Sequence, residues 1–69
     1  MSKYELFWKK VAENGNETQI YTFEDVRSAT GYQIEHSFLT YKKELLEFGY
    51  EVSKISVKNK TILIKKLHM

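Results

Sequence analysis

Tyr4, Phe7, Trp8 and Val11 recur at i, i+3, i+4 and i+7, the spacing that gathers apolar side chains on one helical face. Ser2 with Glu5 three residues later has the spacing of a capping box, so a first helix is predicted over about residues 2–14. Asn14-Gly15-Asn16 favours left-handed backbone and ends it. Residues 18–21 (TQIY) are β-branched and aromatic and too short for a helix, which predicts a small strand able to join a later sheet as its third member. Thr22 and Asp25 repeat the cap spacing, and Phe23, Val26 and Ala29 make an inward stripe for a second helix over 22–30, stopped at Thr30-Gly31. Ile34, Phe38, Tyr41, Leu45 and Phe48 then fall within about 40° of a common direction on a helical wheel. A third helix is predicted over 33–48, closed by Gly49, with Tyr50 as the hydrophobic contact beyond its cap.

After Gly49 the period becomes two. Ile55 and Val57 alternate with Ser56 and Lys58, and Ile62 and Ile64 alternate with Leu63 and Lys65, as in half-buried strands. The two strands predict a hairpin over about 52–66, with Lys58-Asn59-Lys60 as its tight turn and Asn59 as the residue suited to positive φ. Leu39 and Leu46 form a second stripe on the third helix, roughly 120–140° from the first, expected to pack on the first helix against Trp8 or Leu6, or to serve self-association. The fold class is therefore α+β, in the order α-β-α-α-β-β, with a three-helix core and a C-terminal hairpin.

Sixty-nine residues make one domain, residues 1–69, burying only roughly 60% of the unfolded surface. The chain has no cysteine, which removes disulfides and thiolate metal sites, and His36 and His68 alone do not make a zinc staple. Its ten aromatic residues supply much of the available burial, since each ring removes roughly 150–250 Å² from water. No signal peptide and no membrane span are expected, and the expected location is the cytoplasm. Ten lysines against one arginine hint at an AT-rich bacterial or phage genome.

Net charge is +2, but its distribution is uneven: residues 1–41 carry −2 and residues 42–69 carry +4. Residues 52–69 hold Lys54, Lys58, Lys60, Lys65 and Lys66 without one Asp or Glu. A field this lopsided can orient a polyanion. The plainer explanation is a solvated sheet edge, because lysines also discourage edge-to-edge pairing.

Two segments carry a resemblance. Thr22-Phe23-x-x-Val26 leading to Thr30-Gly31, then Leu45-Leu46-x-Phe48-Gly49-Tyr50 entering a basic hairpin, resemble the winged helix-turn-helix family over about two thirds of the chain. The resemblance implies a winged helix whose third helix is the recognition helix and whose hairpin is the wing. It implies double-stranded DNA as the partner, and a transcriptional regulator or architectural factor of a bacterium, phage or mobile element.

With the apolar stripe of the third helix turned inward, Gln33, His36, Ser37, Thr40 and Lys43 face outward or flank the outward face. Gln can pair with adenine, Ser and Thr can donate or accept, and Lys43 can reach phosphate or guanine. The expected wing contacts are Lys54, Lys58, Asn59, Lys60 and Lys65. Glu35, Glu44 and Glu47 on the same helix oppose this reading, since carboxylates near phosphates reduce affinity. No Gly-rich phosphate loop, metal-ligand spacing or nucleophile–base motif is present, so no enzyme, cofactor, metal or small-molecule substrate is expected. Two other functions fit the same residues: a protein-interaction module, such as a phage-type inhibitor or assembly subunit, and a single-strand-binding replication accessory protein. A homodimer is compatible with each.

Overall fold

The first apolar face forms as expected. α1 (Glu5–Asn14), with Tyr4 as its N-cap, buries Tyr4, Phe7, Trp8 and Val11 completely. The computed structural model describes residues 3–68, the side chain of His36 excepted. Ser2, the expected cap, lies outside them, and Tyr4 makes no side-chain cap bond. Gly15 ends α1 at φ 73°, a left-handed conformation that costs glycine little.

β1 (Thr18–Thr22) follows, and its last residue starts α2 (Phe23–Thr30). Thr22 Oγ1 accepts the Asp25 N–H at 3.0 Å, and Asp25 Oδ2 accepts the Thr22 N–H at 2.8 Å. This reciprocal cap satisfies two donors that a helix start leaves open. Val26 is buried, with Phe23 and Ala29 packed at the edge of the core.

The expected helix over 33–48 is shorter and differently wound. Residues 31–35 form a link, α3 spans His36–Tyr41, and Lys42–Phe48 is a 3₁₀ helix closed by Gly49 at φ 86°. Two contacts hold the link out of helix: the Tyr4 hydroxyl donates to the Gln33 carbonyl at 3.0 Å, and Glu35 is extended at φ −143° while its side chain binds Lys3. A 3₁₀ helix repeats every three residues, so Leu45 and Phe48 lie on one inward row. The five inward residues of the third helix are all in or against the core even though the helix is broken. Leu39 and Leu46 are not buried: they are 49% and 48% exposed, and Leu6 is 61% exposed.

β2 (Tyr50–Ser56) and β3 (Thr61–Lys66) make the hairpin, and β1 pairs antiparallel with β3, giving the sheet order β1-β3-β2. The third strand expected from residues 18–21 is thus present. Ser53 is an extra residue between the paired positions Val52 and Lys54. This bulge resets the alternation so that Val52 and Ile55 stand beside Ile64 and Ile62 on the core face. Val57 leaves the strand and is 76% exposed, contrary to its expected inward place. The turn is also longer than expected, occupying residues 57–60. Its left-handed residue is Lys60, at φ 53°, rather than Asn59, whose N–H is held by Ser56 Oγ at 3.2 Å.

The core is one aromatic-rich cluster between the helices and the sheet. Tyr4 meets Phe38 edge-on at 5.1 Å, and Phe7 meets Tyr21 edge-on at 5.0 Å. Such pairs add about 0.5–1.5 kcal/mol each beyond the area they bury. Gln19 is the exception in this core: its Nε2 donates to the carbonyls of Val11 and Asn16, both at 3.1 Å, and its Oε1 accepts the Tyr21 hydroxyl. One amide thereby fastens the end of α1 to β1. The chain is a small α+β protein with three helices and a three-stranded antiparallel sheet. Among the described residues, no helix is long and apolar enough to cross a membrane.

Candidate nucleic-acid interface

Strand alternation decides where the hairpin lysines stand. Ile62 and Ile64 are buried on the core face, so Leu63 and Lys65 belong to the opposite face. In register, Leu63 lies between Lys54 and Ile20, and Lys65 lies between Thr18 and Glu51. Lys58, Asn59 and Lys60 occupy the loop tip, all exposed. The five expected hairpin contacts therefore separate: three at the tip, Lys54 on the outer sheet face, and Lys65 about 13 Å further along β3 from Thr61. Among the described residues, no hairpin lysine is within ion-pair distance of a carboxylate, although Glu51 is the cross-strand neighbour of Lys65.

The expected recognition-helix residues fare unequally. Gln33 is exposed but sits in the link before α3, with its carbonyl held by Tyr4. His36 begins α3, and its side chain lies outside the described residues. Ser37 is half-buried, and its Oγ is enclosed without a hydrogen-bond partner, so it is not presented to solvent as expected. Thr40 is exposed on α3, and Lys43 is exposed on the 3₁₀ segment. Six residues of α-helix extend only about 9 Å, less than two turns, which limits how many positions α3 can present together.

Two of the three opposing glutamates have structural work. Glu35 holds the Lys3 ammonium, and that hydrogen bond raises the Lys3 pKa above its ordinary value. Glu44 accepts the buried Trp8 indole N–H at 3.2 Å, tying the 3₁₀ segment to α1. Glu47 alone of the three is left exposed without such a contact described.

An open cleft of about 550 Å³ joins the hairpin tip to the helices. Arg27, Phe23 and Glu24 of α2 form one wall, Gln33 and Ile34 a second, and Asn59 and Lys60 a third. The Phe23 N–H donates to the Lys60 carbonyl at 2.9 Å, which fixes the tip against the start of α2. Gln33, Asn59 and Lys60, chosen from two separate elements of the sequence, are thus brought together. Arg27 was missed. It is the only arginine in the chain and lies one helical turn after Phe23, a spacing that puts both on one face of α2. The protein was compared with family models, curated proteins and solved structures, and none of the three comparisons found a match.

Proposed function

We propose that this chain is a small non-enzymatic protein that binds double-stranded DNA in the manner of a winged helix, as a transcriptional regulator or architectural factor. The hairpin is the wing. Lys58 and Lys60 at its tip contact phosphates, while Thr40, Lys43 and Gln33 approach the major groove with the short α3. The observation that carries the reading is a tip of exposed lysines with no carboxylate within ion-pair distance among the described residues. Their charge is available to a polyanion because it is not spent within the protein. The helix and strand order and the antiparallel sheet order β1-β3-β2 are compatible with the winged-helix resemblance.

Single-strand binding is less well supported. Stacking of bases needs exposed rings, and among the described residues only Tyr32 of the ten aromatics is exposed, with Lys3 above its ring at 5.4 Å. A protein-interaction module has one specific observation in its favour, an apolar groove of about 330 Å³ whose lining includes Leu39, Ile55 and the exposed Val57.

A mobility-shift titration with random duplex, single strand and RNA at two salt concentrations tests the proposal. If four or five lysines neutralise phosphate, duplex binding falls with a log–log salt slope of about −4. Absence of duplex binding at low salt, with capture of one stoichiometric protein partner instead, would sink the proposal.

A further inference from the structure

The cleft at the wing tip sets Arg27, which the proposed contacts do not use, beside Lys60, which they do. Arg27 of α2 and Lys60 of the hairpin tip both line it, together with Gln33 and Asn59. A guanidinium fork can hold two phosphate oxygens at once, while an ammonium acts as a point charge. Two carboxylates stand on the same element. Asp25 is committed to the Thr22 cap through its hydrogen bond to the backbone. Glu24 approaches Arg27 at only 3.9 Å, and both side chains are well exposed, so their pairing is weak and easily exchanged.

We infer that this cleft seats one phosphodiester of the bound duplex between Arg27 and Lys60, and that Glu24 is the internal competitor that Arg27 releases on binding. The inference rests on the DNA-binding reading and extends the footprint from the wing and α3 onto α2. It also gives the only arginine a role through its neighbours rather than through its helix alone.

The test is a salt-dependent binding titration of the full chain with a random duplex, using Arg27→Gln, Glu24→Gln and the double variant. Arg27→Gln is expected to weaken binding about eightfold at 0.1 M salt and to reduce the slope by about 0.9. Glu24→Gln is expected to strengthen binding about two- to fivefold, the worth of a surface ion pair. That gain is expected to vanish in the Arg27→Gln background, which marks coupling between the two side chains. Thermal unfolding of each variant controls for folding. A wild-type slope in Arg27→Gln, or weaker binding by Glu24→Gln, overturns the cleft assignment. If the wild type binds duplex with a slope that depends on Lys58 and Lys60 while Arg27→Gln changes nothing, only the cleft fails. If the wild type does not bind duplex at all, both readings fall.

Discussion

Lys58→Ala combined with Lys60→Gly separates the charge of the wing from its fold. Both residues are exposed in the loop, and Lys60 is the only non-glycine residue with positive φ among the described residues, at 53°. An L-residue in that conformation costs roughly 1–2 kcal/mol, whereas glycine adopts it freely but loses about 0.5–1 kcal/mol through a more mobile unfolded chain. The net expectation is a gain of about 0.5 kcal/mol, a rise of about 2–4 °C in Tm for a domain of this size. Binding should move the other way. Each phosphate contact contributes about 0.9 log unit at 0.1 M salt, so losing two weakens duplex binding about 60-fold there and about 20-fold at 0.2 M. Fluorescence anisotropy with a labelled duplex at both salts, beside thermal unfolding by circular dichroism, reads both effects. An affinity ratio that is the same at both salts would refute the phosphate contacts, since lost packing has no such salt signature.

Other outcomes follow from contacts away from the wing. Gln19→Leu removes three hydrogen bonds, but Val11 O keeps the Gly15 N–H and Asn16 is exposed, so the loss should be about 2 kcal/mol, or about 10 °C in Tm. A change of less than about 2 °C would mean that this amide does not fasten α1 to β1. Ser37→Ala deletes an enclosed, unpartnered hydroxyl and should raise stability by about 1 kcal/mol without altering duplex affinity; a marked loss of affinity would place the hydroxyl at the interface after all. Tyr21 has a raised pKa, chiefly from burial and then from the Asp25 carboxylate, offset in part by its hydrogen bond to Asn14. Its neutral form is favoured in the folded state, so its contribution is intact below the ordinary value of about 10 and is lost as pH rises through the higher folded value. Tyr21→Phe should therefore lose less stability than the wild type between neutral pH and about pH 11 in denaturant titrations, and equal losses would count against this cause.

Inward positions were easier to read than outward ones because burial imposes a period and solvent does not. Phe38, Leu45 and Phe48 reach the core although the helix that predicted them breaks at Tyr41 and tightens into 3₁₀ form. The break was hidden because its causes are distant in sequence: Tyr4 engages the Gln33 carbonyl, and Trp8 engages Glu44. Ser37 was misplaced for the same reason, since its exposure was inferred from a continuous helix. Val57 is exposed because β2 ends at Ser56 and the turn begins one residue earlier than expected, which period-two alternation cannot anticipate. Of the candidate contacts, the tip lysines were legible from charge alone. Arg27 needed the fold, because only the hairpin's approach to α2 gives it companions.

The Phe23 N–H bond to the Lys60 carbonyl makes the hairpin tip and the start of α2 one mechanical piece. On a duplex, the span between tip and helix pair is then set before contact, and little ordering entropy remains to be lost on binding. In the proposed duplex complex, this fixed span would act as a caliper. A-form duplexes have a deep, narrow major groove, and a protein with a preset span cannot adjust to it. Discrimination between duplex DNA and duplex RNA would then come from shape, with no base read at all.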